Sequence, residues 1–159
     1  MQDIKRQRLF VLIGIPGAGK SILAQQMMEQ LGDDVVCVSK DFTSLENGSI
    51  KYNRKDEAIV YKTYINKIVK SLRLGFDVIA DDVNLTSNKR DIYFAICEAL
   101  KKIDNIDIDV IGIFLSTPLS VCMERNDENI ISNETIEIMH SKIEEPSYDE
   151  GFKIIMNKY

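Results

Sequence analysis

The sequence predicts a three-layer α/β domain, with a mostly parallel central sheet flanked by helices. Strand-like and helix-like segments alternate along the 159 residues, an order that is typical of parallel sheets. The strand-like segments are short, nearly continuous apolar runs, as expected where helices cover both faces of a sheet. A glycine-rich loop joins the first strand to the first helix, which predicts a ligand site at the carboxyl ends of the strands.

The glycine-rich loop, Gly14 to Ser21, matches the phosphate-loop (P-loop) pattern G-x-x-x-x-G-K-[ST] at each fixed position. The apolar run 9–13 before it predicts a buried strand, and residues 22–28 after it predict a helix. This context gives the pattern its specificity. We therefore expect a P-loop NTPase fold that binds a nucleoside triphosphate. The residues expected to contact the nucleotide are Gly14, Ile15, Pro16, Gly17, Ala18, Gly19, Lys20, Ser21 and Ile22.

The residue types of this loop suit the binding of a polyphosphate. Gly14, Gly17 and Gly19 allow backbone conformations that a Cβ would forbid, so that successive amides can face one anion. The helix that begins near Lys20 adds the positive end of its dipole to the same place. Lys20 is expected to contact the outer phosphates, and the Ser21 hydroxyl is expected to bind Mg²⁺.

The rest of the chain continues the alternation. A second strand is predicted at 35–38, then a loop or broken helix over 43–53 and a long helix from about 54 to 74, which Gly75 ends. The apolar face of that helix is predicted to contain Ala58, Tyr61, Ile65, Ile68, Val69 and Leu72. The later elements are a strand at 77–80, a helix capped by Thr86 or Ser87, a strand at 108–115, a helix opened by Pro118, a helix capped by Ser132 and ended by Pro146, and an edge strand or packed tail at 152–156.

Length and composition favour a cytoplasmic protein with one domain, residues 1–159. The segment at about 124–133 follows the helix after the fourth strand, where phosphoryl-transfer proteins often carry a lid. The apolar runs are too short to cross a bilayer, and the N-terminus leads directly into the first strand. We therefore expect neither a membrane partner nor a cleavable signal. Cys37, Cys97 and Cys122 are widely spaced and odd in number, which favours buried thiols over disulfides or a zinc site.

The charge of the chain is unevenly distributed. The net charge of −5 argues against a general nucleic-acid binder. Basic residues nevertheless predominate over 51–73, and acidic residues predominate over 124–150. Two solvated faces of opposite sign would explain this pattern, and so would a basic surface that accepts a polyanion.

Acidic residues follow two strands whose carboxyl ends should meet beside the phosphate loop. Asp41, after the second strand, could accept the proton of an attacking hydroxyl, although a capping or turn aspartate is also consistent with this position. Asp81 ends the third strand as a Walker-B acid does and could hold Mg²⁺. Asp82 competes for that role, and the alternation of side chains along a strand predicts that one of the two reaches the metal.

Several other residues are candidates for the site. Asn84 could orient a substrate or an acid, or could be a turn residue. Lys89 and Arg90 lie in a first helical turn, where they oppose the helix dipole, so that either a nearby anion or a plain surface helix would account for them. Arg125, in the lid region, could neutralise the transferring group. His140 is expected to be structural or exposed.

Together these residues resemble the 5′-hydroxyl polynucleotide kinase branch of the P-loop kinases over nearly the whole chain. The loop 14–21 is similar to the G-x-P-G-x-G-K-S sequence of that family, and Asp41 lies where the family has its general base. Residues 81–84 resemble its D-x-T-N box, 85–90 resemble its basic segment, and 145–152 resemble its E-x-P-x-x-x-E-G-F tail. The resemblance implies an ATP- and Mg²⁺-dependent kinase that acts on the 5′-hydroxyl of RNA or DNA.

Two departures from the family pattern bear on the acceptor. Asn129 stands where relatives often carry a second lid arginine, four residues after Arg125, and Ser44 stands where some relatives carry another arginine. These departures leave two alternatives open: a kinase for a sugar, nucleoside, antibiotic or nucleotide-sugar, and a nucleotide-binding regulatory module. In the leading interpretation, Lys20, Asp41 and Arg125 are catalytic, while Ser21 and Asp81 hold the metal.

Overall fold

The central element of the fold is a five-stranded sheet. A computed structural model describes residues 6–40, 54–126 and 131–159, with side chains described from residue 56 in the second range. The strands are β1 (Gln7–Ile13), β2 (Val35–Ser39), β3 (Asp77–Asp81), β4 (Ile108–Leu115) and β5 (Ile154–Lys158). Their order is β2-β3-β1-β4-β5, and every neighbouring pair is parallel. The predicted α/β class with a parallel sheet is confirmed.

Helices cover both faces of the sheet. They are α1 (Lys20–Leu31), α2 (Arg54–Arg73), α3 (Ser87–Asp104), α4 (Leu119–Glu124) and α5 (Asn133–Ser141). One core cluster includes residues of α2 and α3, and the other includes residues of α1, α4 and α5. Within the described ranges, no helix combines the length and apolar character needed to cross a membrane.

β1 lies in the middle of the sheet, and its apolar side chains are divided between the two cores. Leu9, Val11 and Ile13 belong to the cluster with α2 and α3, whereas Phe10 and Leu12 belong to the cluster with α1, α4 and α5. All five are at most 6% exposed. A strand that is buried on both faces is continuously apolar because its side chains alternate between two cores.

The buried face of α2 differs from the predicted one. Val60, Tyr64, Ile68 and Leu72 are fully buried, whereas Ala58 and Tyr61 are exposed. The buried residues follow a strict spacing of four, which places them in one row along the helix. The predicted face was centred on a neighbouring row of apolar residues, and the hydroxyl of Tyr64 is buried next to a partner on another helix, the hydroxyl of Tyr93 at 2.8 Å.

The helix starts are confirmed, but one helix end is not. The Thr86 hydroxyl accepts from the amide of Lys89, and the Ser132 hydroxyl accepts from the amide of Thr135, so both cap their helices. α5 ends at Ser141 rather than at Pro146. Beyond that end, the amide of Glu144 donates to the carbonyl of Leu85 at 2.8 Å, so the chain is already bound to another loop.

The last strand, β5, confirms the predicted edge strand. It pairs in parallel with β4 along Ile111↔Ile154 to Leu115↔Lys158. Phe152, just before it, packs on the backbone of Gly112, where a Cβ would lie 3.0 Å from the ring. A larger residue at this position of β4 would require the aromatic ring to move by a few tenths of an ångström, so glycine allows the ring to pack closely.

β3 begins at a buried ion pair. The Asp77 side chain is 3% exposed, and its Oδ2 accepts from Nε and Nη2 of Arg8 at 2.9 and 2.8 Å. Its Oδ1 accepts from the backbone amide of Arg8 at 2.9 Å. The pair joins the starts of β1 and β3, at the end of the sheet opposite the phosphate loop.

We expect Asp77→Asn to lower the free energy of unfolding by about 1–3 kcal/mol, because hydrogen bonds to a charged group are lost and Arg8 keeps only part of its pairing. Urea unfolding followed by circular dichroism measures this change. The control is Asp104→Asn, which neutralises the carboxylate paired with Arg73. That carboxylate is more exposed than Asp77, so its loss should cost less than about 1 kcal/mol. Equal losses in the two variants would contradict the expectation.

Candidate active site

The phosphate loop connects β1 to α1 through a backbone that favours glycine. Gly17 has φ 84° and Gly19, the N-cap of α1, has φ 103°. Both values lie where L-residues other than glycine are strained. The turn is closed by a hydrogen bond from the amide of Ala18 to the carbonyl of Ile15 at 3.1 Å. The loop therefore has the conformation that glycines at these positions allow.

Neighbouring elements fix the loop from two sides. The amide of Gly14 donates to the carbonyl of Val83 at 3.1 Å, so the start of the loop is bound to the segment after β3. The Thr117 hydroxyl donates to the carbonyl of Ala18 at 2.8 Å, and both residues are buried. The loop is thus held in place by groups that follow β3 and β4.

Helix α4 packs closely on the loop. A Cβ added to Gly17 would lie 2.6 Å from the carbonyl oxygen of Cys122, a distance that real Cβ atoms do not show. Burial raises the pKa of the Cys122 thiol, although Arg125 and Lys20 oppose this effect. Glycine at position 17 therefore serves both the backbone conformation and the contact with α4.

Two cationic side chains lie at the loop. Nζ of Lys20 donates to the carbonyls of Gly14 and Ile15 at 2.9 and 3.1 Å. Nη1 of Arg125, which is an exposed residue, donates to the carbonyl of Gly17 at 3.2 Å. Both charges are therefore placed where they can attract an anion bound by the loop.

A cleft of about 490 Å³ opens beside the loop, between α1 and the ends of β2 and β3. Ser21 and Asp81 both line it, and Asp81 is 9% exposed. Burial raises the pKa of the Cys37 thiol to about 12, and the charge of Asp81 adds to this effect, so the thiol stays protonated at neutral pH. The other lining residues are Ala24, Gln25, Met28, Glu29 and Ser39.

The two adjacent aspartates differ in their surroundings. Asp81 lines the cleft, whereas Oδ1 of Asp82 accepts from the amide of Val83 at 2.8 Å. Oδ2 of Asp82 lies 3.9 Å from Nζ of Lys40. This difference agrees with the alternation of side chains along a strand. Asp81 is accordingly the better candidate for a metal ligand.

The residues present fit Mg²⁺. A serine hydroxyl and one carboxylate line the same cleft, and no group of three or more His, Cys, Asp or Glu suited to a metal occurs in the described part of the chain. Mg²⁺ is usually bound through one or two carboxylates together with water and substrate phosphates, and seldom in an all-protein cage. Ser21 and Asp81 could hold the ion in this way.

Asn84 is a buried structural residue, not an exposed substrate ligand. It is 4% exposed and has φ 49°, in the left-handed region that asparagine tolerates. Its Nδ2 donates to the carbonyls of Leu12 and Asp82 at 2.8 and 3.1 Å, and its Oδ1 accepts from the Tyr93 hydroxyl at 2.6 Å. Asn84 is therefore a turn residue, and its side chain also holds the backbone of Asp82, one of the two adjacent acids.

Arg90 is fully buried, which neither interpretation of Lys89 and Arg90 anticipated. Nε and Nη2 of Arg90 donate to both carboxylate oxygens of Glu150 at 2.8 and 2.9 Å. The anion near this helix start is thus a side chain of the protein, and the surface-helix interpretation is wrong for Arg90, whereas Lys89 is exposed. The pairing could not be read from local spacing because Glu150 lies sixty residues away.

Some predicted residues lie outside the described ranges. They are Asp41 and Ser44, the loop or broken helix predicted at 43–53, and residues 127–130 of the lid region, including Asn129. Within the basic stretch 51–73, side chains are described from residue 56, and Lys62 and Lys70 are exposed. His140 is exposed, as expected.

Comparison with known proteins identifies the family. The profile of the AAA domain family matches residues 9–138. A protein assigned as a bifunctional polynucleotide kinase/RNA ligase, from Autographa californica nuclear polyhedrosis virus, is 28% identical over 147 residues, which cover 86% of this chain and 21% of the viral protein. The resemblance predicted from the sequence is confirmed by this similarity.

Two solved structures share the fold. A chain of the Pnkp1/Rnl/Hen1 RNA repair complex aligns with a TM-score of 0.73 and 20% identity, over 89% of this chain and 45% of that one. A fungal RNA kinase aligns with a TM-score of 0.68 and 15% identity, over 98% of this chain and 75% of that one. The chain therefore spans about a fifth of the viral relative and less than half of the RNA repair protein.

We expect Gly17→Ala to weaken nucleotide binding at least tenfold, because the new Cβ would clash with the Cys122 carbonyl and distort the loop. Titration with a fluorescent ATP analogue measures the affinity. The matched control is Gly75→Ala, which has a similar φ of 93° and nothing within 4 Å of the added Cβ. It should cost about 1–2 kcal/mol of stability and leave the affinity unchanged. Normal binding by the Gly17 variant would contradict the role of the loop.

Proposed function

The chain belongs to the AAA domain family, and from that premise we propose that it is an ATP-dependent kinase that transfers the γ-phosphoryl group to the 5′-hydroxyl of RNA or DNA. The observation that carries the proposal is the shared cleft: Ser21 at the end of the phosphate loop and Asp81 at the end of β3 line one cavity. Lys20 and Arg125 lie at the same loop. This set of residues suits phosphoryl transfer, which depends on positioning and charge neutralisation.

In the proposed reaction, the loop amides and Lys20 bind the β- and γ-phosphates of ATP. Arg125 adds a second positive charge close to the carbonyl of Gly17. Mg²⁺, held by Ser21 and Asp81, would neutralise phosphate charge when bound. The acceptor oxygen forms a bond to the γ-phosphorus while the bond to the β-phosphate oxygen breaks, and ADP leaves. In-line positioning and preorganised charge would supply most of the acceleration.

Asp41 is the proposed general base. It follows the last residue of β2 by two positions, and that residue, Ser39, lines the cleft. A carboxylate at this end of the sheet could accept the proton that the attacking hydroxyl loses. The role is inferred from sequence position and from the resemblance to polynucleotide kinases.

A polynucleotide end is the acceptor that we propose, for two reasons. The viral relative is assigned as a polynucleotide kinase/RNA ligase, and the two structural relatives are an RNA repair protein and an RNA kinase. Exposed lysines at positions 62 and 70 of α2 could also contribute to a surface for phosphates beyond the terminal nucleotide. We extend to this chain the kinase activity alone, since the chain covers a fifth of the viral protein.

The acceptor is tested by incubating the protein with γ-labelled ATP and Mg²⁺, first with 5′-hydroxyl oligonucleotides and then with a panel of sugars and nucleosides. We expect label in the oligonucleotide, and we expect Asp41→Asn to lower kcat by about 10²–10⁴-fold because the general base is lost. A 5′-phosphorylated oligonucleotide is the control and should remain unlabelled. Label in a metabolite alone would replace the acceptor, and ATP binding without any transfer would leave a nucleotide-binding module.

We expect Asp81→Asn to raise the Mg²⁺ concentration needed for half-maximal activity by about tenfold or more, because a carboxylate ligand is lost. Asp82→Asn should change it less than threefold, since that side chain is turned to Val83 and Lys40. A Mg²⁺ titration of the initial rate measures both effects. The reverse order of the two variants would assign the metal to Asp82.

A further inference from the structure

We propose that Arg90 and Glu150 are positioning residues for nucleotide and metal binding. Residues 144–152, which we name the tail segment, would hold the loop after β3, residues 82–86, in the shape that the phosphate loop and Asp81 require. The inference rests on the proposed function for its catalytic consequence, whereas its effect on nucleotide binding follows from the hydrogen bonds alone. The tail segment lies beyond residues 9–138, the part that the AAA domain profile matches.

The first step is the ion pair itself. Arg90 is 0% exposed, and its Nε and Nη2 make a two-pronged contact with the carboxylate of Glu150, whose side chain is 12% exposed. Oε2 of Glu150 also accepts from the amide of Ser147 at 2.8 Å, which closes a capping box in the tail segment. The carboxylate is therefore fixed from two directions, and the guanidinium plane is fixed with it.

The second step leads from the guanidinium to the loop after β3. Nη1 of Arg90 donates to the carbonyl of Asn84 at 2.9 Å and to the carbonyl of Glu144 at 3.1 Å. One nitrogen thus joins the backbone of the loop to the backbone of the tail segment. Removal of the Glu150 carboxylate would release the guanidinium that holds the Asn84 carbonyl, at a residue with a left-handed φ of 49°.

The third step leads from Asn84 to the site. The side-chain nitrogen of Asn84, Nδ2, donates to the carbonyl of Leu12, two residues before the phosphate loop begins. It also donates to the carbonyl of Asp82, next to Asp81. The carbonyl of Val83, the residue before Asn84, accepts from the amide of Gly14. The backbone around Asn84 therefore sets the distance between the phosphate loop and the acidic end of β3.

The tail segment also binds this loop independently of Arg90. The amide of Glu144 donates to the carbonyl of Leu85 at 2.8 Å, and Oε2 of Glu144 accepts from the amide of Ser87 at 2.9 Å. This last bond lowers the pKa of Glu144. Glu144 thus binds Leu85 and Ser87 while Glu150 binds Arg90, so the tail segment contacts the chain that follows Asn84 at three positions.

The alternative explanation is that the Arg90–Glu150 ion pair stabilises the fold without positioning the site. The protein contains a second ion pair that can serve as a comparison. Arg8 forms an ion pair with another buried carboxylate, Asp77, at the opposite end of β3, where both guanidinium donors bond to the same oxygen, Oδ2. That pair joins the starts of β1 and β3, at the end of the sheet opposite the phosphate loop, so we expect its loss to affect stability more than the site. The two pairs can therefore separate positioning from stability.

The experiment compares Glu150→Gln with Asp77→Asn. For each variant, the dissociation constant of an ATP analogue is measured with and without Mg²⁺, together with KM and kcat for transfer and the urea midpoint of unfolding. We expect Glu150→Gln to weaken Mg²⁺-dependent nucleotide binding about tenfold, in the range found for residues that orient metal ligands. Asp77→Asn should lower the urea midpoint and leave the dissociation constant within twofold of the wild type.

A second readout follows the proposed chain of contacts directly. Hydrogen exchange of the Gly14 amide, which donates to the Val83 carbonyl, should accelerate in Glu150→Gln and stay unchanged in Asp77→Asn. If Glu150→Gln does not fold, Glu150→Asp replaces it, because it keeps the charge and shortens the reach. Equal nucleotide affinity and equal Gly14 exchange in both variants would overturn the proposal and leave a stabilising ion pair.

The same measurements separate this proposal from the proposed function. If the wild type binds Mg²⁺ and nucleotide but labels no acceptor, the kinase proposal fails, and the dissociation constants still decide the role of Glu150. If transfer is normal in the wild type and in Glu150→Gln, with unchanged KM, the positioning proposal fails alone.

Discussion

The carboxyl edge of the sheet depends on the hydrogen bond from the buried side-chain amide of Asn84 to the carbonyl of Leu12. It joins the end of β1 to the segment after β3, and the Gly14 amide beside it makes a second bond between the same two segments. In a parallel sheet these segments follow adjacent strands, and no ladder hydrogen bond continues past the strand ends. A side-chain amide with two donors and an acceptor replaces that ladder where the phosphate loop leaves the sheet.

The polar groups around Asn84 form a fully satisfied network. The hydroxyls of Tyr64 and Tyr93 bond to each other, and the Tyr93 hydroxyl also bonds to Asn84, so α2, α3 and the loop after β3 are connected within the core. Burial raises the pKa of both tyrosines well above the ordinary value, so the hydroxyls remain neutral. Among the described residues, no buried side-chain nitrogen or oxygen lacks a partner. A satisfied buried network of this kind favours one arrangement of the loop over its alternatives.

Most of the fold could be predicted because its signals are local. Each of these signals depends only on residues close to it in the sequence. Examples are the apolar run of β1, the glycines of the phosphate loop and the helix caps Thr86 and Ser132. The buried face of α2 was only partly predicted, since its apolar residues fit more than one row at helical spacing. The row that is buried contains Tyr64, whose hydroxyl bonds to that of Tyr93 on α3. For Arg90 the sequence predicted either a nearby anion or a surface helix, and it could not identify the anion because Glu150 belongs to a segment near the end of the chain.

The sequence by itself determined the alternation of elements, the phosphate loop and the group of acids expected at the strand ends, because strand, loop and helix patterns depend on neighbouring residues. Tertiary structure decided which of two adjacent aspartates lines the cleft beside Ser21 and which is turned toward Lys40. It also decided that Glu150 neutralises a buried Arg90. The physical reason is the same in both cases. Burial and charge pairing depend on which distant segments come into contact, and the spacing of residues within one segment does not determine that contact.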